Sequence, residues 1–363
     1  MMELHATGGG RRVLYVGCYT PDGGPGIHAF DASTPDGTLQ PLSEHGGVED
    51  ASYLAAGTNG DVLYAVSEQT APRSGEVVAL RIDGGDGSLA EFDRVPSHGA
   101  APCHVAVTAD GRHLYVANYI DGTMVAYALR PDGGFDALLS RHEHAGSGPR
   151  AERQEGPHTH GVLPRPSGAV LVTDLGTDQL LRYHHDGGDG SGPLVVDDVL
   201  QMPPGTGPRH AVSHPGRPEL VLVVGELDSS LTVVVDRLGD PLRALGHGPT
   251  LPATVDAASS TAAAVVIPPR GDLAYVSNRG SDTVAVLDLT ASSTPTLRAV
   301  VPSGGRTPRD LLLHPSGRHL VVANQDDDRV TVLALDEDGV PSAVVDEHEL
   351  PAPAGLVHMG IAL

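Results

Sequence analysis

Leu114-Tyr115-Val116-Ala117-Asn118-Tyr119 returns as Leu14-Tyr15-Val16-Gly17-Cys18-Tyr19 and as Ala274-Tyr275-Val276-Ser277-Asn278-Arg279, and this recurring hexapeptide decides the fold. Fainter copies stand at Leu63-Tyr64-Ala65-Val66-Ser67-Glu68 and at 170–175, 221–226 and 320–325. Anchored on Tyr15, Tyr64, Tyr115, Leu171, Leu222, Tyr275 and Val321, the copies recur every 46 to 56 residues, and seven steps consume the 363-residue chain. Repetition at this period marks units that bury their apolar faces only against neighbours, as in a toroid or solenoid.

Around each hexapeptide the turn residues divide the unit into four strands. In the third copy, 102–108 is a short apolar strand, Asp110-Gly111 a hairpin turn and 114–118 a β-rich second strand. Past Asp121-Gly122, 123–129 alternates as a third strand, Pro131-Asp132-Gly133-Gly134 turns again, and 137–142 is a more polar fourth. Short strands broken by Gly, Asp and Pro, with no helical period, predict an all-β chain of four-stranded antiparallel blades, a seven-bladed β-propeller. The ends predict how the ring closes. The N-terminus opens at a second strand (12–19), with its third and fourth at 27–30 and 39–43, so that blade lacks an innermost strand. The C-terminal 353–363, with Leu356-Val357-His358-Met359-Gly360-Ile361, has the missing pattern, and joining the two removes an open sheet edge. The whole of 1–363 thus reads as one propeller domain, with 1–10 a disordered extension.

Charge and composition exclude several functions. Asp and Glu outnumber basic residues 46 to 23, a formal charge of -23, which repels nucleic acid and anionic membranes. Every basic residue is Arg, so a Schiff-base lysine or a Walker-type phosphate lysine is ruled out, and any bound anion falls to Arg, His or backbone amides. Cys18 and Cys103 have no metal-type spacing and sit in non-adjacent repeats, which fits a reducing compartment. The first residues lack a charged segment followed by an apolar stretch, and no run approaches a membrane span, so a cytoplasmic location is expected. Trp is absent and aromatic residues are 3% of the chain, which leaves few stacking platforms for single-stranded nucleic acid.

Antiparallel pairing places the start of each first strand beside the end of each second strand, so both classes of position ring one mouth. First-strand starts carry Cys103, His160, Arg209 and Arg309; second-strand ends carry Tyr19, Glu68, Tyr119, Leu175 after Asp174, Glu226, Arg279 and Gln325. The fourth to sixth blades therefore deliver His160, Arg209, Glu226 and Arg279 to one opening. An imidazole and a carboxylate beside guanidinium forks suit acid/base work on an anionic, oxygen-rich substrate. The plainer alternative is a hydrated channel with Arg209 and Glu226 as a structural ion pair. Other motifs favour plain readings. Asp83-Gly84-Gly85-Asp86-Gly87-Ser88 and Asp186-Gly187-Gly188-Asp189-Gly190-Ser191 look like calcium loops but fall where third strands turn into fourth ones and lack a closing Glu. His142 and His144 lie in the long connection 140–156, a solvated loop or a lid over the mouth; Asp326-Asp327-Asp328 is an exposed turn, and His184-His185 is expected to face outward. No G-x-S-x-G elbow precedes a helix, so a serine hydrolase mechanism has no support.

At these residues the chain resembles the seven-bladed lactonase family, which holds propeller-type 6-phosphogluconolactonases and fungal carboxy-muconate lactonizing enzymes. The resemblance runs in order through Tyr15-Val16-Gly17-Cys18-Tyr19-Thr20, Pro102-Cys103-His104-Val105, Val116-Ala117-Asn118-Tyr119 and Gln154-Glu155-Gly156-Pro157-His158-Thr159-His160. It continues through Thr173-Asp174-Leu175-Gly176-Thr177-Asp178, Gly207-Pro208-Arg209-His210, Gly225-Glu226-Leu227, Val276-Ser277-Asn278-Arg279-Gly280 and Thr307-Pro308-Arg309. It implies a catalytic set of His160, Arg209, Glu226 and Arg279, with His158 the second choice in its motif. Substrate contacts are expected from His158, Arg309, Tyr119, Glu68 and Gln325. The departures are Cys18 where the family more often has Thr, an altered setting at Gly225-Glu226, and the loss of all Lys, which removes any lysine grip on phosphate. The implied activity is hydrolysis of 6-phosphogluconolactone to 6-phosphogluconate, with Glu226 or His160 activating water, Arg209 stabilising the oxyanion, and Arg279 and Arg309 holding the substrate's phosphate or carboxylate. The alternatives are a muconate-type lactonizing cycloisomerase and a non-catalytic binding scaffold. No metal and no cofactor is called for; the expected partner is a small anionic lactone, with neither nucleic acid nor membrane, and the protein is expected as a monomer or weak homo-oligomer.

Overall fold

Each hexapeptide forms the second strand of a four-stranded sheet, and because its two faces meet two different neighbours, both faces must be apolar. The computed structural model describes residues 11–71, 74–187, 192–291 and 293–361, and its strands form seven four-stranded antiparallel sheets arranged as a β-propeller. Blade 1 combines Arg11–Cys18, Ile27–Asp31 and Gln40–His45 with Pro353–Ile361 from the other end of the chain; blades 2 to 7 follow in order. The closing pair runs in register from Arg11 opposite Ile361 to Cys18 opposite Pro353, as the two chain ends predict. The proposed extension 1–10, the tip 188–191 of the second Gly-rich turn and residues 362–363 lie outside the described residues.

The core is seven apolar clusters, one per blade junction. Val13 and Tyr15 pack towards blade 2 with Leu63 and Val78, whereas the alternate Leu14 and Val16 pack towards blade 7 with Val321 and Val332. That alternation is why the strands read as nearly unbroken hydrophobic runs. Burying a Leu, Val or Tyr side chain in such a seam contributes about 1.5–3 kcal/mol. The repeated tyrosine also has a polar task. Tyr15, Tyr64 and Tyr275 donate their hydroxyls to Gly87, Gly133 and Gly339 carbonyls at 2.9, 2.6 and 2.6 Å, in the outer turn of the next blade. Those glycines have φ of 72, 83 and 77°, a left-handed conformation that side chains disfavour. The repeated Asn is likewise structural: Asn118 donates Nδ2 to Ser97 O and Thr123 Oγ1, each at 3.0 Å.

Blade 3 matches its expected division, with strands Pro102–Val107, His113–Asn118, Thr123–Leu129 and Phe135–Glu143. The last begins earlier than expected because Phe135 is drawn into the seam with Tyr64 and Tyr127. Asp83 and Asp86 cap their own turn, accepting from the amides of Gly85 and Ser88, which explains the repeated Asp there without calcium. Two expectations are corrected. His185 faces inward: it sits two residues after buried Tyr183 on the same strand face, and its Nε2 meets the Tyr115 hydroxyl at 2.9 Å, while His184 is exposed. His144 is buried as well, pairing with Asp174 Oδ2 at 2.7 Å and with the Tyr183 hydroxyl at 2.8 Å, so this end of the connection is pinned to blade 4.

Candidate active site

A β-bulge aims the site residues. In each innermost strand except that of blade 2, pairing slips just where the strand enters: at Cys103 in blade 3, His160 in blade 4, Arg209-His210 in blade 5, Ala263-Ala264 in blade 6, Arg309 in blade 7 and Ala354 in blade 1. An extra residue on the bulged strand is freed from the ladder and turned into the channel. Aspartates of the preceding blade fix the approach. Asp178 accepts from the Gly205 and Gly207 amides at 2.7 Å each, and Asp282 from the Thr307 amide at 2.8 Å. Gly207 and Thr307, with φ of 60 and 56°, then swing the chain into Pro208-Arg209 and Pro308-Arg309.

The four residues expected to converge do so around Glu226, which is 2% exposed. Its Oε2 is 2.8 Å from Arg279 Nη2 and 3.0 Å from Arg209 Nε, and its Oε1 accepts from Arg153 Nη2 at 2.6 Å. The Arg209 contact is ionic without being an aligned hydrogen bond, and neither Arg209 Nε nor Arg279 Nε has a hydrogen-bond partner among the described residues. Arg209 Nη1 instead donates to Ala263 O at 2.9 Å. Burial alone would raise the Glu226 carboxyl, but Arg279 and Arg209 hold it far below the carboxylate range. Burial, then Arg279, lowers Arg209 to about 10, still protonated at neutral pH.

His160 lies between Tyr119 and His210, with ring centroids 5.4 and 5.3 Å away, and its Nδ1 is 3.8 Å from Cys103 Sγ. Burial and the Arg209 charge push it well below the ordinary histidine range, so it is a neutral imidazole at physiological pH. Burial raises the Cys103 thiol, leaving it protonated among carbonyl oxygens. His158 is fully occupied: its ring lies 4.5 Å from that of Tyr119, Nδ1 donates to Tyr119 O at 2.8 Å, and Nε2 is 3.3 Å from Glu155. It therefore props Tyr119.

The remaining expected residues form a second limb on blades 7, 1 and 2. Arg309 donates Nη2 to Tyr19 Oη at 2.7 Å and Nη1 to Gln325 Oε1 at 3.2 Å, and Tyr19 donates its hydroxyl to Glu68 at 2.8 Å, with Ser52 on the same carboxylate oxygen. Burial works against the Arg309 charge, but Tyr19, Glu68 and Glu226 together raise its pKa, so both limbs share one electrostatic space. Four guanidinium groups, Arg153, Arg209, Arg279 and Arg309, thus meet two carboxylates, Glu226 and Glu68.

Several site residues gave no signal in the repeat. Arg153 comes from the connection after blade 3. Beneath the mouth Tyr53 stacks on His104 at 4.1 Å, and His104 meets His210 at 5.0 Å. Burial, with Arg209, lowers His104 to about 3 and His210 well below its usual value. Burial pushes Asp310 up to about 7, against the Leu356 and Leu311 amides that favour its anion. A cavity of about 640 Å³ opens on the opposite face between blades 2 and 3. Its guanidinium groups are taken up locally, Arg112 by Asp110 and Arg130 by Asp93, so the chemistry points to the mouth.

The family model for the seven-bladed β-propeller lactonases matches residues 13–358. A 6-phosphogluconolactonase of Bacillus subtilis (strain 168) is 30% identical over 282 residues, covering 77% of this chain and 78% of that one. A 6-phosphogluconolactonase of Formosa agariphila is 28% identical over 285 residues, covering 77% and 80%. Among solved structures, the periplasmic gluconolactonase of Pseudomonas aeruginosa superposes with a TM-score of 0.89 at 25% identity, over 97% of this chain and all of that one. With the family model spanning 13–358 and the fold superposing over nearly the whole chain, the protein belongs to the seven-bladed β-propeller lactonase family.

Proposed function

We propose that this protein hydrolyses a sugar-derived lactone, 6-phosphogluconolactone being the substrate that fits best. The observation that carries the reading is Glu226: buried, ionised, and used to hold Arg209 and Arg279 beside a neutral His160, with neither Nε–H in an aligned hydrogen bond among the described residues. Both oxygens of Glu226 are engaged by three guanidinium groups, so Glu226 serves as the anchor and the neutral His160 as the base. His160 takes a proton from water as the oxygen adds to the lactone carbonyl. The charge that develops on the carbonyl oxygen is met by Arg209 and Arg279, held in place before the reaction starts. Collapse of the tetrahedral intermediate breaks the acyl C–O bond, and the imidazolium returns its proton to the departing ring oxygen. The excess of guanidinium over carboxylate groups supports an anionic substrate.

Incubating the protein with 6-phosphogluconolactone, δ-gluconolactone and a carboxy-muconate, while following acid release and ultraviolet absorbance, tests the reading. Arg209→Ala should lower kcat by on the order of 10²–10³-fold. Because the folded pKa of His160 lies below 6.5, kcat/KM should hold level as pH falls through 6.5 and decline only in more acid solution. Absorbance changes with muconate alone would favour the cycloisomerase, and no turnover of any lactone would leave a binding scaffold.

A further inference from the structure

We infer that Arg153 recognises an anionic group, a phosphate monoester or carboxylate, carried by the lactone at a distance from its reacting carbonyl, and that the connection after blade 3 is its mount. The inference rests on the lactonase reading for the ring that is hydrolysed, though not for the anion. Three guanidinium groups touch Glu226, and their side-chain exposures grade from 3% for Arg209 through 16% for Arg279 to 38% for Arg153. The two deep ones are placed to face a carbonyl; the outermost is placed to meet the far end of the same ligand. Arg153 uses a single nitrogen, Nη2, for both Glu226 Oε1 at 2.6 Å and Tyr119 Oη at 3.2 Å. Among the described residues its Nε–H and Nη1–H groups are unclaimed, and although they lie on different edges of the guanidinium plane, each can donate a charge-assisted hydrogen bond to an oxygen of a phosphate or carboxylate.

The mount is more rigid than a solvated connection needs to be. Gln154 is fully buried; its Nε2 donates to Leu175 O and to Asp178 Oδ1, both at 2.8 Å, and its Oε1 accepts from the Arg150 amide at 3.1 Å. The backbone closes on itself between Gly148 N and Gln154 O at 2.9 Å, and a Cβ at Gly148 would run into the Gln154 amide. Asp178 also holds the Gly205 and Gly207 amides that lead into Arg209. Arg153 and Arg209 are therefore registered on one buried carboxylate, which fixes the separation between the anion reader and the oxyanion group. Ordering the backbone in advance lowers the entropy lost when the ligand binds.

The competing possibility is that Arg153 is only a strap holding Glu226 in place. Arg153→Ala and Arg153→Lys, confirmed as folded by their thermal midpoints, separate the two when assayed on 6-phosphogluconolactone and δ-gluconolactone. If Arg153 reads the anion, the ratio of kcat/KM for the phosphorylated over the unphosphorylated lactone should fall about tenfold or more in the alanine variant and be partly restored by lysine. An equal loss on both lactones, or an unchanged ratio, would overturn the inference. Should the wild type hydrolyse neither lactone, the lactonase reading fails, and calorimetry decides the inference alone. A wild-type preference for 6-phosphogluconate over gluconate that Arg153→Ala abolishes would support it; equal affinities in both proteins would overturn it.

Discussion

Two buried networks of arginine and carboxylate occupy opposite faces of the ring, and they are built on opposite principles. At the base, between blades 4 and 5, Asp236 bridges Arg165 Nε at 2.7 Å and Arg182 Nη1 at 3.0 Å, and Asp197 takes Arg182 Nε at 2.5 Å. The remaining fork nitrogens reach Ser213, Pro218 O and Asp240 O. Charge there is balanced and the donors are spent. At the mouth, four guanidinium groups face two carboxylates, and among the described residues the Nε–H donors of Arg209 and Arg279 make no aligned hydrogen bond, Arg209 Nε having only its ionic contact with Glu226. Buried donors are costly to leave unsatisfied, so a set kept in that state is a place prepared for a ligand. Burial and ion pairing alone would not separate the two sites; the balance of donors and acceptors does.

Removing the central carboxylate of the base gives the largest stability effect. Asp236→Ala strands the buried Arg165 guanidinium, leaves Arg182 to Asp197, and should cost about 3–5 kcal/mol in denaturant unfolding. The folded fraction should keep the wild-type kcat/KM, since the base lies at the far end of the strands from the mouth. A loss of turnover comparable to that of Arg209→Ala would break the distinction between the two networks.

Much of this contrast could be read from the chain, and the rest fails to show for physical reasons. The period of the Tyr-Val copies revealed the ring, and the two chain ends revealed its closure, because both depend on apolar alternation that repeats seven times. His160, Arg209, Glu226 and Arg279 were legible because strand order alone assigns first-strand starts and second-strand ends to one rim. The bulge that turns Arg209 and Arg309 into the channel leaves no mark in the pattern, since one extra residue in a short strand only shifts the phase. Arg153 and Gln154 lie in a connection with no period to read. The one available clue was that this repeat step is the longest, which a solvated loop would also explain. His104, His210 and Asp310 directly follow or sit within the bulged segments and look like strand residues until the channel brings them together.

The imidazoles beneath the mouth sharpen the comparison through pH. In the resting site, with no oxyanion to offset it, the excess of positive charge at the mouth is tolerable while His104, His160 and His210 stay neutral, because an added proton would stand beside Arg209. Each folded pKa is depressed, so the unfolded chain takes up protons first as pH falls. The associated stability is present above about 6.5 and is lost as pH drops towards the folded value, about 3 for His104. Between pH 7 and 4.5 this amounts to about 2–3 kcal/mol for one such imidazole. His104→Leu should therefore lose about that much less unfolding free energy than the wild type over the same interval. Identical pH slopes in the two proteins would mean that the fold does not depress His104, which would then take up its proton over the same range as in the unfolded chain and add its charge to the mouth below about pH 6.5.

The smallest effect tests where the mouth ends. Tyr19 joins the two charges of the second limb through a hydroxyl that accepts from Arg309 at 2.7 Å and donates to Glu68 at 2.8 Å. Tyr19→Phe keeps the ring beneath the Arg309 guanidinium, 5.2 Å from its centroid, and removes only the relay. Arg309 retains Gln325 as a partner, and Glu68 retains Ser52, so neither charge is stranded. The expected loss is about 1 kcal/mol in stability, with kcat/KM reduced by less than about tenfold. A reduction as deep as that of Arg209→Ala would place the Arg309 limb among the reacting groups and extend the mouth network across the whole channel. No change in either quantity would detach that limb from the site and leave Arg153, Arg209, Arg279 and Glu226 as the full contrast to the base.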